Sequence, residues 1–278
     1  MEVKKDILGS IVIPAKGRLD LVERAIDSVL SMPGSEAVEI IVVDDGSEFP
    51  LAPTNLRSFD QLIRLNGSKG AAVCRNIGIR TAQGRVVHLL DSDDLILDRD
   101  FCEIAESSES GVVYYTEIES QGYKSSYPDE VFTADYFEFI FKRHKFIGQT
   151  SSLFFLNDGK FYFDETLPKH QDWDFAYCQV LLNGFSFRKS RGSTFFDRSD
   201  QLSLSRIQDS VKSIPWLSKL EGLQTLSIRE YEYVRFNLLA RTKALSSSSV
   251  LWKGINYFLH RKIYIGELAR IFYRRVFS

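Results

Sequence analysis

Twice in its first hundred residues the chain runs from nearly unbroken apolar sequence straight into a cluster of carboxylates. Residues 38–43 lead into Asp44-Asp45-Gly46-Ser47, and residues 86–90 lead into Asp91-Ser92-Asp93-Asp94. A short run that is apolar on both alternating faces reads as a strand covered on both sides, which is the habit of parallel sheets. Residues 10–13 form a third such run, stopped by Pro14. Between the first and second runs, residues 20–31 place Leu21, Ala25, Ile26, Val29 and Leu30 at helical spacing, and Pro33-Gly34 ends the pattern. Strand, helix and strand in that order predict a βαβ unit with parallel strands. Ligands of open parallel sheets bind beyond the carboxyl ends of the strands, and both acidic clusters fall at such ends.

Asp91, Asp93 and Asp94 lie within four residues. Like charges this close repel, and buried carboxylates without partners are unfavourable. A hard divalent cation among them reverses the sign, because magnesium and manganese take carboxylate oxygens and complete their shell with phosphate oxygens. The other reading of the same residues is a solvated acidic turn that caps the next helix. Residues 61–65 read as a short strand. Asn66-Gly67-Ser68-Lys69-Gly70 then turns into a helix over 71–82, with Gly84 as its stop. This Gly-rich entry is neither a Walker loop nor a dinucleotide fingerprint, since both spacings are missing. Arg75 on that helix reads either as a surface cation or as a phosphate clamp.

Beyond the second cluster the pattern predicts a helix over 100–107, a strand over 112–118, an aromatic-rich helix over 133–144 and a strand over 151–156. Lys169-His170-Gln171-Asp172-Trp173-Asp174-Phe175 opens a further helix reaching residue 182, with Asn183-Gly184 as its end. Short strands are expected over 185–188 and 194–196. From residue 207 onward the chain reads as helical, with the serine run 246–249 as a linker. Its last helix, carrying Arg261, Lys262, Arg270, Arg274 and Arg275, is basic and amphipathic. Such a helix suits either an anionic membrane surface or a packed helix with a solvated basic face. The formal net charge of −2 gives no sign of a nucleic-acid partner. Three scattered cysteines indicate neither a disulfide framework nor a zinc site. With no signal peptide and no run long enough to span a bilayer, the expected setting is reduced and cytoplasmic.

In series, Ile11-Val12-Ile13-Pro14, Val42-Val43-Asp44-Asp45-Gly46-Ser47, Gly70-Ala71-Ala72-Val73-Cys74-Arg75-Asn76, Leu90-Asp91-Ser92-Asp93-Asp94, Phe163-Asp164-Glu165 and Gln171-Asp172-Trp173-Asp174 resemble the family 2 glycosyltransferases. The resemblance covers residues 8 to 200. It implies an α/β GT-A fold with a mostly parallel, Rossmann-like central sheet, here followed by a C-terminal helical extension. The expected domains are 1–205, with a nucleotide-sugar half (1–100) and an acceptor half (101–205), and a helical region over 206–278.

The same resemblance implies transfer of a sugar from a nucleotide-sugar, with UDP-sugars favoured, to a hydroxyl of a glycan or lipid-linked acceptor, inverting the anomeric carbon. Asp172 would be the general base. Pro14, Ala15, Arg18, Asp45, Arg75, Asp91 and Ser92 would line the donor site, and Asp45 would hydrogen-bond the base. Asp91, Asp93 and Asp94 would hold Mn2+ or Mg2+ on the diphosphate. A role in bacterial surface polysaccharide synthesis follows, in the cytoplasm and peripheral to the inner membrane face. Two departures stand out: Lys16-Gly17 replaces a common aromatic and Asn, and Gln171 replaces a common Glu. The competing readings are a binding subunit without turnover and a metal-dependent nucleotidyltransferase. Read alone, Asp172 is more often the N-cap of the helix that follows it; within the matched series it reads as the base.

Overall fold

A computed structural model describes residues 7–97, 101–120, 123–124, 129–131, 149–197, 211–227, 230–232 and 234–235. It begins with the expected βαβ unit. Strand β1 (Gly9–Ala15), helix α1 (Leu19–Leu30) and strand β2 (Val38–Asp44) are followed by β3 (Gln61–Arg64), helix α2 (Ala71–Thr81) and β4 (Val86–Leu89). β1 and β2 pair in parallel with Ala15 opposite Asp44, and β3 adds in parallel outside β2. The chain then returns through α2, and β4 pairs in parallel with the other side of β1, Val12 opposite Leu89. The strand order therefore reverses between β1 and β4, which is where open α/β sheets form their ligand crevice. Asp44 ends β2 and Asp91 lies two residues past β4, so both acidic clusters leave the sheet at that edge.

The second half continues the same sheet with mixed pairing. It comprises β5 (Leu95–Ile96), helix α3 (Phe101–Ser107), β6 (Val112–Ser120), β7 (Tyr123–Lys124), β8 (Glu130–Val131), β9 (Leu153–Leu156), helix α4 (Gln171–Asp174) and β10 (Ser186–Phe195). The order across the sheet is β3-β2-β1-β4-β9-β6-β10-β5, with β7 beside β6 and β8 beside β10. β9 runs antiparallel to both β4 and β6, whereas β10 is parallel to β6.

Three details differ from the sequence reading. The short strands expected over 185–188 and 194–196 are one strand, β10, whose register shifts between Lys189 and Ser193. That polar stretch is where the periodicity breaks. The helix expected to residue 182 is a single α-turn that widens into a π-helix over Phe175–Val180 and closes as a 3-10 turn over Leu181–Asn183, ended by Gly184 at φ 75°. The two-residue strands β5, β7 and β8 have no counterpart in the sequence reading. The helix read over 133–144, the linker 246–249 and the basic helix near the end of the chain lie outside the described residues.

The core explains the apolar runs. Ile11 and Ile13 of β1 and Ile40 and Val42 of β2 pack with Val22, Ala25, Ile26 and Val29 of α1. The opposite face of β2, Ile41 and Val43, packs with Cys74 of α2. Each fully buried Val or Ile side chain contributes about 1.5–3 kcal/mol, so both layers favour this register. The second half is aromatic: Phe155, Phe161 and Phe175 cluster, and Phe163 stacks on Phe175 at 4.6 Å. One buried acid, Glu39, is satisfied by Ser10 Oγ (2.6 Å) and the Gln83 and Gly84 N–H groups, which pins the turn between α2 and β4.

The chain divides into two compact units, one of Met1–Ile140, Lys145–Glu165 and Gln171–Asp200, the other of Phe141–His144, Thr166–His170 and Gln201–Ser278. Within the second, helix α5 (Ile214–Leu223) buries Trp216, Leu217 and Leu220. His170, in the left-handed region at φ 62°, is 2.8 Å from Ser213 Oγ through Nε2 and its ring lies 5.3 Å from that of Trp216. Among the described residues no helix is long and apolar enough to cross a membrane.

Candidate active site

The turn after β2 is built on Asp44. Its Oδ1 accepts from the Ser47 backbone N–H (2.9 Å) and from the Ser47 hydroxyl (2.5 Å), and Ser47 Oγ in turn accepts the Gly17 N–H (2.7 Å). Asp44 thus joins the ends of β1 and β2. Gly46 has a positive φ of 65°, and a Cβ there would lie 2.5 Å from the Gly67 carbonyl carbon, so the position needs glycine twice over. Asp45 faces the entry of α2. Its carboxylate accepts from Ser68 Oγ (2.6 Å) and from the N–H groups of Lys69 (2.5 Å) and Gly70 (3.0 Å). Burial raises its pKa, but these bonds and one from the Cys74 thiol outweigh burial and hold it below the usual range. The Gly-rich turn is therefore ordered by Asp45.

Pro14 and Ala15 are buried at the end of β1, and Ala15 O accepts the Asp45 N–H (2.8 Å). Arg18 caps α1 in the left-handed region and lies 3.6 Å from Asp20 on an exposed surface.

Helix α2 carries two adjacent buried polar side chains. Arg75 Nη2 meets Asp91 Oδ1 at 2.6 Å, its guanidinium lies 5.3 Å from the centre of the Phe163 ring, and its Nε is buried with no hydrogen-bond partner. Asn76 donates to Phe163 O and to Glu165 Oε1, each at 2.9 Å, and accepts the Phe163 N–H at 2.8 Å. The Phe163-Asp164-Glu165 stretch is thereby clamped to α2, with its aromatic ring beside Arg75.

The acidic turn divides its three carboxylates. Asp91 and Ser92 are partly exposed, as is Asp93, whose carbonyl accepts from Arg24 (3.0 Å). Asp94 is fully buried and turned inward, bonded to Ser151 Oγ and to the Asp197 N–H (3.1 Å). Burial first, then the charge of Asp91, push its pKa up to about 8. The sequence treats the three acids alike; the fold does not bring Asp94 together with the other two. Among the described residues no group of three or more acidic, histidine or cysteine side chains is arranged to hold a metal.

Asp91 and Asp93 are nonetheless two hard donors on one turn, which suits magnesium or manganese when phosphate oxygens supply further ligands. The orphaned Nε of Arg75 beside Asp91 also calls for an anionic acceptor.

Asp172 lies in the first turn of α4 and accepts the Trp173 N–H at 3.0 Å. Burial pushes its carboxyl up to about 6, opposed by that bond and by the positive charge of Arg75, and reinforced by the negative charge of Asp91. Arg75 and Asp91 therefore both act on the Asp172 carboxyl, with opposite sign. Asp174, two residues on, is fully buried. Sequence reasoning missed Asn76 as a clamp and Ser151 altogether. The adjacency of Arg75 and Asn76 was the available signal for the first; the second has none.

Known proteins resemble this chain in sequence and in fold. Residues 10–167 match the family model described as Glycosyl transferase family 2. The succinoglycan biosynthesis protein ExoU of Rhizobium meliloti is 23% identical over 254 residues, covering 80% of this chain and 73% of that protein. The uncharacterized glycosyltransferase YwdF of Bacillus subtilis is 27% identical over 259 residues, 88% of this chain and 95% of that protein. A 97-residue stretch, 34% of this chain, is 37% identical to an uncharacterized glycosyltransferase of Rickettsia felis, and it spans 16% of that protein. The solved structure of S. aureus TarS 1-349 in complex with UDP-GlcNAc gives a TM-score of 0.53 at 17% identity, covering 84% of this chain and 71% of that one. At that identity the likeness is one of fold.

Proposed function

Because the chain belongs to glycosyl transferase family 2 and has its GT-A fold, we propose that it transfers a sugar from a nucleoside-diphosphate sugar to a hydroxyl of a glycan or lipid-linked acceptor in surface polysaccharide synthesis. The observation that supports the reading is the 2.6 Å ion pair of Arg75 with Asp91 at the acidic turn, both of whose charges act on the Asp172 carboxyl; inverting transfer needs a leaving-group site and a base across the sugar from it. A UDP-sugar is the favoured donor; the relative ExoU is named for succinoglycan biosynthesis, and the fold neighbour TarS was solved with UDP-GlcNAc.

Each residue has a task. Asp45 takes a donor hydrogen from the base, beside Pro14 and Ala15. Arg75 turns its orphaned Nε toward the diphosphate. Asp172 accepts the proton of the acceptor hydroxyl as that oxygen bonds to the anomeric carbon, while the bond to the diphosphate breaks on the opposite face and its electron pair leaves with the nucleotide. A divalent cation, Mn2+ or Mg2+, held by Asp91 and Asp93 would neutralise charge on the departing diphosphate. Asp94 holds the turn from inside. Product analysis tests the reading: release of a nucleoside diphosphate from a nucleotide-sugar and an acceptor supports it, and release of pyrophosphate from a nucleoside triphosphate and a sugar phosphate would replace it with nucleotidyl transfer.

A further inference from the structure

Ser151 is fully buried just before β9, and four hydrogen bonds converge on it. Its hydroxyl bonds Asp94 and accepts the Asp91 N–H at 3.1 Å. Its carbonyl accepts from Thr194 Oγ1 of β10 (3.1 Å) and lies 3.1 Å from His88 Nε2 of β4. Thr194 Oγ1 is in turn 2.8 Å from Thr116 Oγ1 of β6. From the far side, Asp94 takes the Asp197 N–H, and Arg24 of α1 bonds both Asp197 (2.8 Å) and the Asp93 carbonyl (3.0 Å). The acidic turn therefore hangs between α1, β4, β9 and β10, and the Ser151 hydroxyl is the atom that touches both its first and its last residue.

We propose that Ser151 is a positioning residue for sugar transfer: its hydroxyl turns Asp94 inward and fixes the Asp91 backbone, so that Asp91 and Asp93 stay on the partly exposed side of the turn and face the diphosphate. The inference rests on the function proposed above. It follows from a simple constraint. Four residues bearing three carboxylates have no intrinsic preference for which one is buried, and only a buried donor can select Asp94. Without that hydroxyl the Asp91 N–H loses its acceptor, and the two outer carboxylates lose their fixed spacing.

The test reads nucleotide binding by titration calorimetry on the full chain, with and without Mn2+, using UDP, GDP, ADP and dTDP as probes. In the wild type one of these binds more tightly with Mn2+. Ser151→Ala loses about tenfold or more of that metal-dependent gain, in the range typical of groups that orient metal ligands, while metal-free binding is retained. Thr194→Val, which removes the bond to the Ser151 carbonyl and spares the hydroxyl, keeps the gain. Should the alanine variant not fold, Ser151→Cys carries the same test, because a thiol keeps the shape and is a weak hydrogen-bonding group. Retention of the full gain in the Ser151 variant overturns the positioning role and leaves the proposed function standing. Equal loss in the Ser151 and Thr194 variants also overturns it, since that is what a merely structural role predicts. A wild type that binds none of the probes, or binds one without a metal-dependent gain, overturns the positioning role together with the metal site it serves, while sugar transfer itself is judged by the product analysis above.

Discussion

Asp172 and His88 show how burial sets proton affinity in opposite senses. Burial raises the Asp172 carboxyl to about 6, which leaves it ionised at neutral pH yet basic enough to take a proton from a hydroxyl. The rate at low substrate should therefore fall as pH drops through about 6, because the carboxyl is then protonated; a pH profile of kcat/KM checks this. Asp172→Asn should lower kcat by about 10²–10⁴-fold with the fold intact, as read by initial rates and circular dichroism. His88, stacked 5.7 Å from Phe101, is fully buried, and burial lowers its pKa to about 4 against the bond to Ser151. The unfolded chain then binds the extra proton between about pH 6.5 and 4, so stability drops as pH falls through that window. Replacing it, as in His88→Met, should shrink the loss of stability between pH 7 and pH 5 by about 2 kcal/mol, measured by urea unfolding at each pH.

At the scale of elements, α2 is the piece on which the site depends. It presents Arg75 and Asn76 inward, and Gly78 lets it lie directly on Val12 of β1, since a Cβ at that position would overlap the Val12 side chain. Gly78→Ala should cost about 1–3 kcal/mol, and Val12→Ala in the same chain should recover part of the loss, a coupling that a double-mutant cycle measures. Asn76→Ala should destabilise by about 2–4 kcal/mol in denaturant unfolding, because the Phe163 N–H and carbonyl lose their buried partner.

β1, α1, β2 and β4 were legible in the sequence because each is buried on a periodic face: unbroken apolar runs for β1, β2 and β4, helical spacing for α1. β10 was split in two because Lys189 to Ser193 is polar and the register shifts there. The π-helix was illegible because α and π ladders bury nearly the same positions. At the site, the acids were visible as residue types at strand ends. Which of them turns inward was not, since Ser151 and Asp197, which select Asp94, are brought to it only by the pairing of β9 with β4 and of β10 with β5 and β6.

For the molecule as a whole, the sheet assigns two kinds of work. Its parallel half, β3-β2-β1-β4, ends in the Asp44 and Asp91 turns at the point where strand order reverses, a place suited to a nucleotide. Its mixed half, with β9, β6 and β10, supplies the buried ties beneath the acidic turn, and the aromatic packing of Phe163 on Phe175 connects the α2 clamp to the helical segment that carries Asp172. The central claim is that these halves together form a metal-assisted donor site. It is tested most directly by thermal unfolding with UDP-, GDP-, CMP- and dTDP-sugars, each with and without Mn2+. A ligand that binds the folded state alone stabilises it by about 2.7 kcal/mol at a hundredfold its Kd, enough to move the unfolding midpoint visibly. The account predicts a shift for one nucleotide-sugar that requires Mn2+ and disappears in Asp93→Ala. No metal-dependent shift with any of the four, or one that survives in Asp93→Ala, would contradict it.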